Sequence, residues 1–313
     1  MIKKYREFIF EDEDEDAGTT SPSSKTTGTT TTDTSFASRF SKFKEFLDKK
    51  SSGSSSTPAS STSASASTPS SASPGDFSNV DKMIDIVIKY LNKHGITNPI
   101  VQKAILSTIG KESGFTSTQE ASYKNTAPAR IKQIFGSRFS GLSDEEINRI
   151  KQDDTAFWEK VYGGEWGKKN LGNTQPGDGA KYLGRGFNGI TGRANYKTYT
   201  DMLRKAGSSI DLIANPEILE KSPDASAEVN ALYFLRGLSD PIIKRKYGNS
   251  GPNDFKDFGT ALKAVVNANA GAANDISRGF LKQSYDSAVA ANNKLGSKFE
   301  KAISSSPDTS NIA

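Results

Sequence analysis

The sequence has no cysteine, which excludes a disulfide framework, a thiolate metal site and a thiol nucleophile. It has a single histidine, His94. A Ser-His-Asp triad would have to take His94 as its base, and a histidine cluster around zinc is excluded. His94 stands beside Gly95 at the end of a helical pattern, where a histidine commonly meets the helix dipole, so a structural or solvent role suits it better than catalysis. Runs of alternating β-branched residues are scarce, which points to a mainly helical chain. No apolar run approaches the length of a membrane span, so no stable membrane insertion is expected. These absences leave carboxylates to carry any chemistry.

Apolar residues make up only 34% of the 313 positions, low for a chain packed throughout. The deficit sits at the N-terminus. Positions 17–35 and 51–75 are almost entirely Ser, Thr, Gly, Ala and Pro, with too little apolar surface to offset ordering entropy. They predict a disordered extension. Ahead of them, residues 1–16 join a short amphipathic piece (Ile2, Tyr5, Phe8, Ile9, Phe10) to an acidic run. That segment reads as a solvated tail or as a docking peptide. Phe36, Phe40, Phe43 and Leu47 fall at helical spacing and predict a short amphipathic helix over 36–50. With no core nearby, it would pack on the main domain, touch a membrane surface or bind a protein partner. The basic start lacks an apolar region before the acidic run, so no secretory signal is expected.

Residues 76–313 are long enough for one substantial core. They carry 32 Lys/Arg against 26 Asp/Glu, a modest surplus that suits an anionic polymer, either a wall glycan or a nucleic acid. Val80, Met83, Ile84, Val87 and Leu91 form an apolar stripe ending at Gly95, with Ser78 and Asp81 near capping-box spacing. Asn98–Pro99 starts a second helix, with Ile100, Ala104, Ile105, Thr108 and Ile109 on its buried face. Further helices are predicted over 128–135, 143–151, 155–162, 194–206, 216–221, 223–237, 255–267 and 273–293.

Two stretches carry the functional signal. Residues 177–196, GDGAKYLGRGFNGITGRANY, hold six glycines in twenty positions. Such density argues against helix, since each internal glycine costs roughly 1 kcal/mol relative to Ala. It suits a loop that lets a ligand approach the backbone, although a plain surface loop would have the same composition. The second stretch is KESGFTSTQE, residues 111–120. Glu112 ends an apolar helix, where burial would keep its carboxyl protonated, as a general acid requires. Glu120, eight residues on, follows polar residues that would leave it ionised. Two carboxyls in opposite protonation states suit glycoside hydrolysis, and two ordinary surface glutamates would look the same in sequence.

Three segments bear a resemblance to a known family: AILSTIGKESGF (104–115), PGDGAKYLGRGFNGITGRANY (176–196) and LIANPEIL (212–219). Over about 80 to 290 the chain resembles glycoside hydrolase family 19, the lysozyme-like chitinases and bacteriophage endolysins. The resemblance implies a mainly α, lysozyme-like domain with an active-site cleft and long irregular loops, over residues 76–295. The acidic tail 1–16 and the linker 17–75 would precede it, and a flexible tail 296–313 would follow. It implies inverting hydrolysis of β-1,4-linked N-acetylhexosamine polymers, either peptidoglycan or chitin, without cofactor, metal or nucleic acid. Glu112 matches the general acid, Glu120 the general base and Thr191 the hydroxyl that holds the attacking water. Arg185, Asn188, Tyr196 and Asn267 (in VNANAG, 266–271) would line the saccharide site. Inversion calls for carboxyls about 6.5–9.5 Å apart.

The chain departs from the family's pattern at several points, of which the Asn188–Gly189 form reads as a subgroup feature. Lys111 stands in place of the usual His, one glycine follows the acid where two are usual, and Gly189 replaces a Gln. VNANAG also lacks the family's paired glycines. As a phage-type member the protein would be made in a bacterial host's cytoplasm. It would reach the wall through a pore or in a phage particle, with residues 1–50 docking to a virion or other protein. Two other readings stay open. A lytic transglycosylase also carries Glu-Ser-Gly-Phe, but its Gly-Leu-Met-Gln segment is missing here. A virion structural or glycan-binding protein could retain an inactive domain of this type.

Overall fold

The computed structural model describes residues 78–306 apart from Thr118 and 271–278. The expectations for residues 1–16, 17–75 and the helix at 36–50 therefore lie outside the described residues. Among those described, the protein is helical, with thirteen α-helices, one 3-10 turn and a lone β-bridge. In order they are α1 (Val80–Lys93), α2 (Pro99–Glu112), α3 (Pro128–Phe135), α4 (Asp144–Ile150), α5 (Asp154–Tyr162), α6 (Gly164–Leu171) and α7 (Asp178–Lys181). Then come α8 (Arg193–Lys205), α9 (Ile218–Lys221), α10 (Pro223–Leu238), α11 (Pro241–Tyr247), α12 (Phe258–Ala270) and α13 (Gly279–Ser305). None is long and apolar enough to cross a membrane.

Helix α2 is the centre of the molecule because α1, α12 and α13 all pack on it. Its burial exceeds the single face expected: Val101, Leu106 and Ser107 are enclosed as well as Ala104, Ile105, Thr108 and Ile109. A helix buried all round must satisfy its polar side chains internally. Ser107 Oγ donates to Lys103 O at 2.7 Å, Thr108 Oγ1 to Ala104 O at 3.0 Å, and Gln102 Nε2 to Ile96 O at 2.8 Å. Asn98 caps the helix, accepting from Ile100 N–H at 2.9 Å, with Pro99 in its first turn.

The same logic builds the periphery. Ser143 and Glu146 form the expected capping box on α4. Helix α1 is capped by Asn79 rather than Ser78, because Asn79 immediately precedes the first helical residue and accepts from Lys82 N–H at 3.1 Å. Phe135, Phe139, Phe157, Trp158 and Tyr123 pack ring on ring in a lobe formed by α3 to α6. A second cluster gathers Tyr182, Tyr196, Tyr199, Leu212 and Leu219 under α8 to α10. Helix α13 runs past the expected boundary at 295, since Phe299 and Ala302 continue its buried stripe.

His94 and Glu228 are buried together where α1 meets α10. Glu228 accepts from Lys93 Nζ at 2.6 Å and from His94 Nε2 at 3.3 Å. Burial works to raise the Glu228 pKa, but the bonds from His94 and Lys93 outweigh it and hold the carboxyl below its ordinary value. The resulting stability is fully present above the ordinary value of 4.5 and is lost as pH falls through the lower folded value. Thermal melts from pH 6 downward should show this acid loss. In Glu228→Gln, that part of the pH dependence should flatten, with lower stability at neutral pH.

Candidate active site

Glu112 is the last residue of α2, and the cap residue Ser113 donates its N–H to Ile109 O at 2.9 Å. The chain then turns through Gly114 and Phe115. Phe115, at φ +66°, is the one non-glycine in the left-handed region among the described residues. Such a conformation costs on the order of 1–3 kcal/mol and persists only where packing over-determines it. Here Phe115 is fully buried, with its ring 6.0 Å from that of Phe299 on α13. Beyond the turn, Ser117 Oγ donates to Leu219 O, and Ser226 Oγ reaches the same carbonyl. The LIANPEIL segment thus anchors Ser117, three residues before Glu120.

Glu120 is held at three points. Its N–H donates to Gly184 O at 3.2 Å, and Gly184 N–H donates back to Glu120 Oε2 at 3.0 Å. Tyr162 OH donates to Oε1 at 2.7 Å. Burial pushes the Glu120 pKa up; the bonds from Tyr162 and Gly184 and the nearby Arg185 charge oppose the rise without cancelling it. Glu120 is thus less acidic than the polar sequence around it suggests, although each bond it accepts favours the ionised form. The polar neighbour Ser117 turns inward to Leu219, so the carboxyl's surroundings come from Tyr162, Gly184 and Arg185 instead.

Glu112 is also enclosed, with its side chain 11% exposed. Its Oε1 accepts from Lys111 Nζ and from Asn269 Nδ2, the latter at 2.8 Å. Lys111 in turn donates to Ser284 Oγ on α13 at 2.6 Å.

The glycine-rich stretch touches Glu120 directly and reaches Glu112 through Asn269. Contrary to expectation, one turn of it is helical: α7 includes Gly179, where an added Cβ would meet Glu159 Oε2 and Gly163 N at 2.7 Å. The centre is a small hairpin closed by the Arg185–Ile190 bridge, with Ile190 N–H on Arg185 O at 2.8 Å. Gly186 and Gly189 turn it at φ +78° and +61°. A side chain at Gly189 would be strained there, so glycine suits this turn.

Thr191 leaves the hairpin with Oγ1 donating to Gly189 O at 2.9 Å. A methyl group on Gly184 would lie 3.1 Å from Thr191 Oγ1 and 3.2 Å from Glu120 Oε2. Hydroxyl and carboxylate therefore flank one glycine. Asn188 serves the other carboxyl: Asn230 Nδ2 donates to Asn188 Oδ1, Asn188 Nδ2 to Asn269 Oδ1 at 3.1 Å, and Asn269 to Glu112. Tyr233 OH fixes the Asn269 backbone carbonyl at 2.9 Å.

Three expected lining residues lie elsewhere. Tyr196 is fully buried and its OH donates to Leu183 O at 2.6 Å, so it is core. Burial pushes the pKa of its hydroxyl up. Arg185 is 7% exposed, and its guanidinium is spent on Glu220, Lys181 O (2.7 Å) and Tyr196 OH (3.4 Å). Asn267 is fully buried, accepting from Lys246 Nζ at 2.8 Å and Tyr247 OH at 3.1 Å. Asn269 takes the place expected of it. Residues two apart on a helix point to nearly opposite sides, so only one asparagine of VNANAG can reach Glu112. Tyr162 gave no sequence signal, since it belongs to the aromatic lobe's pattern.

Among the described residues no group of three or more His, Asp or Glu side chains is placed to hold a metal ion. Compared with protein-family models and with curated proteins, the chain matches none.

Proposed function

We propose that this domain hydrolyses β-1,4 glycosidic bonds in the glycan of peptidoglycan, by inversion and with two glutamates, as the resembled family 19 enzymes do. One observation carries the reading: a single loop, residues 184–191, reaches both carboxyls, through Gly184 to Glu120 and through Asn188 and Asn269 to Glu112. Neutral hydrogen-bonding side chains and two carboxyls, with no nucleophile–histidine pair, suit acid–base attack on an acetal. The positive surplus of residues 76–313 favours an anionic wall glycan over neutral chitin. The place of action would then be a bacterial cell wall, reached as phage lysins reach it.

In this mechanism Glu112 protonates the leaving oxygen through Oε2, which takes no hydrogen bond among the described residues, while Oε1 is occupied. Glu120 accepts a proton from water. Thr191 Oγ1 spends its own hydrogen on Gly189 O, so it faces that water as an acceptor. A water donating to Glu120 Oε2 and Thr191 Oγ1 directs its lone pair outward at the anomeric carbon. Glu120 works as a base only when ionised, and its pKa is raised. The acidic limb of the rate profile should therefore lie above the ordinary carboxyl value of 4.5.

The test is incubation with purified peptidoglycan and with chitin, following reducing ends, product masses and anomeric configuration. Hydrated reducing ends of inverted configuration are expected. Anhydromuramic ends would assign a transglycosylase instead, and wall binding without cleavage would assign a binding module.

A second arrangement of roles is favoured by one feature. The ammonium of Lys111 lies against Glu112 while burial acts on Glu120, as it would if Glu120 were the acid and Glu112 the base. Variants of the two glutamates separate these arrangements.

A further inference from the structure

We propose that Tyr162 is the positioning residue of this site, fixing Glu120 Oε1 so that Oε2 alone is turned to the water flanked by Gly184 and Thr191. The inference rests on the hydrolase reading for its catalytic meaning and on geometry for its physical content. Tyr162 is the last residue of α5, and the residue is 8% exposed. That ring stacks on Trp158 at 5.5 Å with an interplanar angle of 7°. Its backbone carbonyl accepts from Asn173 Nδ2 at 2.8 Å. Asn173 Oδ1 accepts from Arg193 N–H, also at 2.8 Å, where α8 leaves the glycine-rich stretch. Ring, backbone and hydroxyl are thus each fixed by a different element, and the hydroxyl ends 2.7 Å from Oε1.

The two oxygens of Glu120 are thereby made unequal. Oε1 faces the aromatic lobe through Tyr162, whereas Oε2 lies on the Gly184 side, where Thr191 Oγ1 also lies. A carboxylate free to rotate about its last torsion would present either oxygen, because terminal sp³–sp² torsions are broad. The phenol removes that freedom. It also favours the ionised form, since a donor to a carboxylate stabilises the charge. The other groups acting on Glu120 are Arg185, whose charge favours ionisation, and Tyr196, which lies near enough to feel the carboxylate. Glu220 pairs with Arg185. None of these replaces a donor on Oε1.

The experiment compares the full chain with Tyr162→Phe, which keeps the stacked ring and deletes the hydroxyl. The titration of Glu120 is followed by carboxyl ¹³C resonance, assigned with Glu120→Gln, alongside the pH profile of kcat/KM on peptidoglycan. The Glu120 midpoint should move up by about one pH unit, the size expected for losing a bond to a charged group. The acidic limb of activity should move with it, and kcat should fall more than KM rises. A purely structural tyrosine would lower activity evenly across pH and leave the midpoint in place, which would overturn the proposal. If the midpoint moves while the parent protein cleaves no glycan, Tyr162 keeps its role on Glu120 and the hydrolase reading fails.

Discussion

Glu112→Gln is expected to lower turnover on peptidoglycan by roughly 100–10,000-fold while sparing an aryl β-glycoside of an N-acetylglucosamine oligomer whose leaving phenolate needs no proton. The amide keeps the size of the side chain and can still accept at Oε1 from Lys111 and Asn269, so the helix end should stay in place. What is removed is the proton offered from the other oxygen. Glu120→Gln should behave differently, losing activity on both substrates because water is no longer deprotonated. Azide should restore part of the aryl glycoside reaction, since an anion needs no base to attack. The exchange of these two patterns between the variants would make Glu120 the acid and Glu112 the base. Equal, complete retention of activity in both would end the two-carboxylate mechanism.

The second large effect concerns one methyl group. Gly184→Ala places a carbon 3.1 Å from Thr191 Oγ1 and 3.2 Å from Glu120 Oε2. Both contacts are tighter than ordinary packing, so one partner must yield by a few tenths of an ångström. Gly184 is not among the left-handed glycines, and alanine can adopt its backbone without strain. Its N–H and C=O bonds to Glu120 should therefore survive, and the melting temperature should stay near that of the parent. Activity should fall by about 100-fold, the cost of displacing a reacting group by a fraction of an ångström to one ångström. A Gly184→Ala protein as active as its parent would place the attacking water somewhere other than between Thr191 and Glu120.

Most helices were legible because amphipathic stripes and caps agree with each other in this chain. Asn98–Pro99 and Ser143–Glu146 each satisfy orphan N–H groups at the residue expected. Helix α11 carries the same signature, with Asp240 accepting from Ile242 N–H at 2.7 Å ahead of Pro241. It is easily passed over because seven residues hold little periodicity. Helices α6 and α7 were hidden by glycines that serve packing rather than flexibility. A Cβ at Gly167 would collide with the Tyr162 carbonyl oxygen at 1.8 Å.

The site's geometry was legible in so far as Thr191 lies beside Glu120 across Gly184 and Asn188 reaches Glu112 through Asn269, while the roles given to these residues are proposals. It was illegible where polar side chains spend their groups internally. Arg185 and Tyr196 look like ligands for a sugar in the motif, yet they bond to Glu220, Lys181 and Leu183. The choice between Asn267 and Asn269 depends on helix phase, which a six-residue motif does not fix. The environment of Glu120 depends on Tyr162, brought from 42 residues away.

The support that α13 gives to the start of the site has a consequence for synthesis. Ser284 holds Lys111 against Glu112, and Phe299 packs on the strained Phe115 that follows it. Glu112 is made early in the chain, but the residues that brace it are translated more than 170 positions later. A nascent or truncated chain that stops short of α13 lacks both braces. The geometry around Glu112 would therefore be complete only once α13 has been made and has packed on α2.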